Sequence, residues 1–368
     1  MRAGAGVGSR ICIHEQDLFG TLTRDLVKKM FPLAADRLSQ YTDIGNCYKR
    51  LNGLYFNCAA SSRELGRSRA RESWVITLEI RHTTTYRYRR AVRLGPHRLM
   101  LRPRESRDLH LMTNEVTINP TATLTYSQDV FGNCIAAATF GASADTLVID
   151  SVTRLHLAAE PWPIFDVATR AMVYPFRYAD DEQTDLGALM FQLYPDPAGR
   201  LRDWTWAFVR GVRTDTLALL KDLSVGISSW IRYQSRDDEG VQSPIETLDR
   251  GWGSCRDLAV LFVEAARCLG FGARIVSGYL FVAGTDVIGS TQAGSIQSGS
   301  THAWAEVYVP GAGWITFDPT NRSVGGYNLI PVAVARDIRQ AMPVTGSFAG
   351  EADAFVGMSV EVEVSAQG

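Results

Sequence analysis

The sequence has no long apolar run. Nothing in it approaches the roughly 20 consecutive residues that a helix needs to cross a bilayer. It also has almost no excess charge of either sign: 38 Lys and Arg stand against 39 Asp and Glu, for a net charge of −1. No bulk field therefore draws the chain to nucleic acid or to an anionic membrane, and neither is an expected partner. The six cysteines, at positions 12, 47, 58, 134, 255 and 268, form no C-x-x-C pair and have no zinc-ligand spacing. No metal site and no cofactor motif is read. The opening MRAGAGVGSRICIHEQDLFG has no apolar core followed by a small-residue cleavage site, so no secretory signal is read, and a cytoplasmic protein with reduced thiols is expected. What remains is 46% hydrophobic and 21% charged over 368 residues, an ordinary globular composition with length enough for two domains.

The texture changes along the chain. Residues 1–73 are polar and basic, with one helical hint around LTRDLVKKMFPLAADRL, and they are left unassigned. Two readings apply to them, a loosely ordered extension or a start codon set too far upstream of a native start near Val75, and the second is preferred. Residues 74–157 alternate in short β-branched and aromatic stretches with turn residues every 8 to 12 positions or so, the pattern of an antiparallel β domain. The DVFGN stretch reads as a hairpin turn with Gly132 and Asn133 suited to positive φ. The basic run RYRRAVR and the segment RLMLRPR read as solvated sheet surface. Residues 158–184, broken by proline and acidic residues, read as a linker. Helical periodicity starts near Asp185, and residues 185–335 form the second domain, strands returning after residue 272. Residues 336–368 end in MSVEVEVSA, a period-2 strand expected to pack back on the body.

Within the second domain, GWGSCRDLAVLFVEAARCLGFG places a cysteine at a helix start. Ser254 fits an N-cap and Asp257 completes an S-x-x-D capping box. Leu258, Leu261, Phe262, Ala265 and Leu269 then form one apolar stripe, and Gly270 and Gly272 end the helix. Cys255 is thus the first helical residue, where the helix dipole and free N–H groups favour thiolate over thiol and can receive an oxyanion. Cys268 falls beside Leu261 on the stripe and reads as an inert core thiol.

A thiol nucleophile needs a base and a group to orient that base. In STHAWAEVYV the alternation puts His302, Trp304, Glu306 and Tyr308 on one strand face, and His302 is the candidate base. Asp318, ending GWITFD before Pro319, is the candidate orienter. Spacing alone works against the pair. A plain hairpin through PGAG pairs Val309 with Trp314 and sets Asp318 opposite Ala305, on the wrong face, so a bulge or shifted register is required.

The segments GSCRD–helix, THAWAEVY and GWITFDPTN, in that order, resemble the core of the transglutaminase-like superfamily. The segments TLEIRHTTTYRY, VRLGPHRLMLRPR and DVFGN resemble the N-terminal β region of its bacterial members. Together these cover nearly everything from Trp74 to Met342. The resemblance implies an α+β fold: an N-terminal antiparallel β domain, then a papain-like catalytic core, then a short C-terminal β tail. It also implies a Cys255–His302–Asp318 triad, and with it the strand register that the arithmetic does not supply.

Thiol-dependent acyl transfer at a carboxamide or peptide bond follows, through a thioester on Cys255. An amine acceptor makes the reaction a transglutaminase-like transfer; water as acceptor makes it that of a cysteine peptidase or amidase. A non-catalytic binding module on the same fold is the third reading, disfavoured because all three triad residues are present. The expected partners are a protein or peptide substrate carrying a carboxamide, with an amine or water, and the mechanism needs no cofactor. Trp230, Tyr233, Gln242 and Trp304 are candidates for the oxyanion site or cleft. Asp237, Asp238 and Glu239 read as a solvated acidic turn rather than a calcium loop, and Glu306 as a strand-rim residue.

Overall fold

A computed structural model describes residues 75–161, 163–236, 240–282, 297–298 and 300–367. The helical hint in the first 73 residues, the acidic turn at 237–239 and most of the Gly/Ser-rich stretch GTDVIGSTQAGSIQSGS at 284–300 lie outside the described residues. Residues 72–368 form one compact unit, and the architecture is α+β.

The β region is two antiparallel sheets over a shared core. Strand β1 (Ile76–Leu94) pairs with β6 (Ser143–Leu157), which pairs in turn with β3 (Leu109–Asn119). A second sheet joins β2 (His97–Leu99), β5 (Cys134–Phe140) and β4 (Ala122–Gln128). Between them Tyr88, Val92, Leu94, Leu99, Leu101, Ala136, Ala138, Leu147 and Ile149 are buried. Along β1 the arginines at 87, 89, 90 and 93 point out while Tyr88, Val92 and Leu94 point in, so the basic run is a solvated face. RLMLRPR departs from that reading: Arg104 is half-buried and hydrogen-bonds to the turn after β4. Only Gly132 of the expected pair in that turn takes positive φ, at 72°.

Helices follow with their ends marked in sequence. A short helix α1 (Asp180–Leu186) starts inside the stretch expected to be a linker and ends two residues beyond it, and α2 (Arg200–Trp206) comes next. Helix α3 (Thr216–Trp230) is capped by Asp215, whose carboxylate accepts from Ala218 N–H at 2.8 Å, and it buries Leu219, Leu220, Leu223 and Ile227. The two-residue strand β7 (Arg232–Tyr233) pairs in parallel with β8 (Trp252–Gly253). Between them runs α4 (Pro244–Arg250), with Ser243 as N-cap, Pro244 at its first position and Glu246 closing a capping box.

Helix α5 (Cys255–Cys268) is the spine of the core. Leu258, Leu261, Phe262, Ala265 and Leu269 are all buried against the sheet, each leucine worth about 1.5–3 kcal/mol. Phe262 stacks on Phe317 with ring centroids 5.3 Å apart. At the far end a buried Arg267–Glu264 pair (2.7 Å) fixes the helix to its surroundings: Glu264 accepts from the N–H groups of Leu193 and Tyr194, and Arg267 donates to carbonyls of Leu189, Ala273 and Arg336.

The core sheet is antiparallel, with β9 (Ala273–Leu280), β11 (Ser300–Val309), β12 (Gly313–Asp318) and β13 (Leu329–Ala335) in the order β12–β11–β9–β13 and Ser323–Val324 beyond β12. Strand β10 (Gln297–Ser298), just ahead of β11, pairs instead with β14 (Phe355–Gln367). That C-terminal strand runs antiparallel along β1 from Tyr88 to Thr77, so the tail completes the first sheet of the β region.

The β11–β12 register departs from the plain hairpin by one residue: Val309 pairs with Gly313, Tyr308 with Trp314, and Ala305 with Phe317. The cause is the turn. Pro310 and Gly311 (φ 85°) make a tight turn closed by Ala312 N–H to Val309 carbonyl at 3.1 Å, and Gly313 itself has φ 74°, leaving a three-residue loop. Continuing the register sets Asp318 opposite Trp304 rather than Ala305. Among the described residues no helix is long and apolar enough to cross a membrane.

Candidate active site

Cys255 opens α5, and the residues around it are held by one buried carboxylate. Asp257 is fully buried. Its Oδ2 accepts from Ser254 N–H and from the Ser254 hydroxyl, both at 2.8 Å; its Oδ1 accepts from Gln242 N–H at 2.8 Å and from Arg236 Nη2 at 3.1 Å. The capping position thus does more than close a helix end, because it ties Arg236 and Gln242 to the start of α5. The short β7–β8 ladder holds the other side: Arg232 N–H donates to Gly251 carbonyl and Gln234 N–H to Gly253 carbonyl, both at 2.9 Å.

The corrected register brings the base and its partner together. His302 is buried, and its Nε2 lies 2.9 Å from Asp318 Oδ2. Asp318 is also buried and is saturated: Asn321 Nδ2 donates to Oδ2 at 2.7 Å, and the N–H groups of Thr320 and Asn321 donate to Oδ1 at 2.9 and 3.3 Å. Burial alone raises a carboxyl, but the bonds and charge of His302 and the Asn321 bonds outweigh it and hold Asp318 below the usual carboxylate range. The Cys255 side chain is near enough to the imidazole to raise it as well. With Nε2 on Asp318, Nδ1 is the ring nitrogen left for the sulfur. Burial pulls His302 down, yet hydrogen bonds and charge from Asp318 and Cys255 win and raise it from 6.5 to about 9. This environment favours the imidazolium, held between Cys255 and a buried carboxylate.

The four cleft candidates separate. Tyr233 is half-exposed and its hydroxyl is raised first by burial and then by the Cys255 charge, which places it beside the thiol. Trp230 ends α3, 38% exposed, three residues before Tyr233. Gln242 is 2% exposed, and neither its Nε2 nor its Oε1 has a hydrogen-bond partner among the described residues. Trp304 does not fit a cleft wall. It is buried at 1% and stacks on the His302 ring at 6.1 Å and 26°, so it backs the imidazole from inside the core. Glu306 is bound by Arg274 at 2.6 Å on the strand rim, and that guanidinium lies over Trp314. Cys268 is half-buried at the end of α5, and burial raises its thiol.

Sequence reading missed Asn321 and understated Asp257. Asn321 had a signal: an Asp-Pro-Thr-Asn turn brings the fourth side chain back onto the first. Asp257 had only its cap signal, since its bonds to Gln242 and Arg236 join residues 15 and 21 positions away.

Comparison with known proteins matches two adjoining families. Residues 78–155 match the bacterial transglutaminase-like N-terminal region, and residues 203–319 match the transglutaminase-like superfamily core. An uncharacterized protein of Mycobacterium leprae (strain TN) is 32% identical over 120 residues, which make up 33% of this chain and 40% of that protein, so the match spans less than half of the relative. Among solved structures, a candidate cysteine protease from Cytophaga hutchinsonii aligns with a TM-score of 0.59 at 17% identity, covering 80% of this chain and 98% of that one. This likeness is one of fold. The periplasmic domain of TgpA from Pseudomonas aeruginosa aligns at a TM-score of 0.31 and 14% identity over 71% of this chain and 95% of that one.

Proposed function

The chain belongs to the transglutaminase-like superfamily, and we propose that it is a cysteine-dependent enzyme whose Cys255, His302 and Asp318 carry out acyl transfer at a carboxamide or peptide bond. The observation that carries this reading is the imidazole hydrogen-bonded to a buried, saturated carboxylate, with the thiol at a helix start near enough to raise it.

Each residue has a role that its surroundings support. His302 takes the Cys255 proton, and the imidazolium formed is stabilised by Asp318. The thiolate attacks the carbonyl carbon, and the C=O electron pair moves onto oxygen. Backbone N–H groups at the start of α5 receive that oxyanion. Gln242 is the side chain best suited to add a donor, because a buried amide with both ends unpaired is costly until something pairs it. As the C–N bond breaks, His302 returns its proton to the leaving amine or ammonia, leaving a thioester. An amine or water then attacks with His302 as base, and the Cys255 thiolate departs.

The deciding experiment uses a glutamine-containing peptide with and without a labelled primary amine. Cys255-dependent amine incorporation supports the transferase. Release of acid and ammonia, or of a shortened peptide, in water alone supports the hydrolase. Turnover unaffected by Cys255→Ala defeats both.

A further inference from the structure

The turn between β4 and β5 is built to be docked. Asp129 Oδ1 accepts from the N–H groups of Phe131 and Asn133, both at 2.9 Å, which folds the loop over its own carboxylate. Asn133 is fully buried. Its Oδ1 accepts from Val334 N–H at 2.9 Å and its Nδ2 donates to Val334 carbonyl at 2.7 Å, so one side chain imitates a pairing strand on the outer edge of β13. Arg104 donates to both Asn133 Oδ1 (2.7 Å) and Phe131 carbonyl (3.1 Å) and locks the turn in that pose.

The docking point lies behind the candidate base. Val334 pairs with Val276, and Val276 with Trp304. Phe131 is thereby delivered onto the buried cluster of Val276, Trp304, Leu329 and Val334. Trp304 stacks on His302. Opposite His302 the sheet carries Gly278, where a Cβ would stand 2.8 Å from the Trp304 ring and 2.1 Å from Ile330 carbonyl oxygen, so the indole fills space that a side chain at 278 would take.

We propose that Phe131 is a positioning residue for the active site: anchored by Asn133, it seats Trp304, and Trp304 holds the His302 ring between Asp318 and Cys255. The β region then serves the chemistry through packing, without touching substrate. This rests on the function proposed above.

The test is the rate of Cys255 alkylation against pH, read by mass spectrometry on the full chain, with the melting temperature measured alongside. Misplacement by about 1 Å can cost a catalytic arrangement up to roughly a hundredfold. Phe131→Ala is expected to slow labelling at about pH 6 by roughly tenfold and to move the acid limb of the profile upward, with Phe131→Leu recovering most of the rate. Leu124→Ala, in the separate core of the β region, serves as the control: it lowers the melting temperature and leaves the profile in place. A wild-type profile in Phe131→Ala overturns the proposal, as does an equal shift in Leu124→Ala at equal loss of stability. Should Phe131→Ala not fold, Phe131→Leu decides: a shift of about twofold supports positioning and no shift overturns it. His302→Ala separates the two levels of argument. If it leaves the profile unchanged, the thiol–imidazole pair itself is wrong; if it abolishes fast labelling while Phe131→Ala does not, only the positioning role fails.

Discussion

The Asp318 carboxylate lies 2.9 Å from the His302 ring because the β11–β12 register, continued one step past the Ala305–Phe317 pair, sets Asp318 opposite Trp304. One residue of slip in the turn would put Ala305 there instead and send Asp318 to the opposite face. The His302–Asp318 contact therefore depends on the register that the Pro310–Gly313 turn sets.

The raised His302 has a signed consequence. Its folded value of about 9 lies above its ordinary 6.5, so its contribution to stability is full below about 6.5 and is lost as pH rises through about 9. Asp318 acts in the opposite sense: held low, it contributes above the ordinary carboxylate value and loses that contribution in acid. Denaturant unfolding of the wild type is expected to show a decline between pH 6.5 and about 9 that is absent in His302→Ala. Part of the elevation comes from Cys255, so Cys255→Ala lowers the His302 titration midpoint, measured by NMR of the ring protons.

Gln242 offers a separation of stability from activity. Replacing an unpaired buried amide by a similar-sized apolar group removes a cost, so Gln242→Leu leaves the melting temperature unchanged or higher. Loss of one oxyanion donor typically costs about 10²–10³ in kcat. A drop of that order in kcat with KM nearly constant identifies the donor. An unchanged kcat returns Gln242 to a packing role.

Asp257→Ala is expected to damage both. It leaves four donors, from Ser254 (two), Gln242 and Arg236, without their acceptor in a buried setting. Breaking a buried charge pair of this kind costs about 3–5 kcal/mol, read by urea titration. Cys255 alkylation should slow in parallel, since the start of α5 loses its anchor.

A second histidine should set the acid limit of the fold. His82 on β1 is buried between Tyr279 Oη (2.9 Å) on β9 and Thr84 Oγ1 (3.0 Å). Burial lowers it to about 4, against a smaller upward pull from Asp150. With a folded value below the ordinary 6.5, stability is present above about 6.5 and is lost as pH falls through about 4, by about 3 kcal/mol. His82→Gln, which cannot titrate, should flatten the unfolding free energy across that window.

Local chemistry was enough to locate the helix at Cys255, because its stripe, its capping carboxylate and its terminal glycines all lie within about 18 neighbouring residues. The β alternation before residue 157 was legible for the same reason, as was the strand face shared by His302 and Trp304. Tertiary structure decided the rest, because each remaining feature depends on distant residues meeting. The β11–β12 slip needs two glycines at positive φ acting together. Asn133 became a docking group only when Val334, 201 positions away, presented a free strand edge. Trp304 looked like a cleft residue in a strand pattern that names a face without saying what covers it; the β region covers it, and so makes it a support. Periodicity encodes which side of an element is buried, and only the assembled sheets determine what it is buried against.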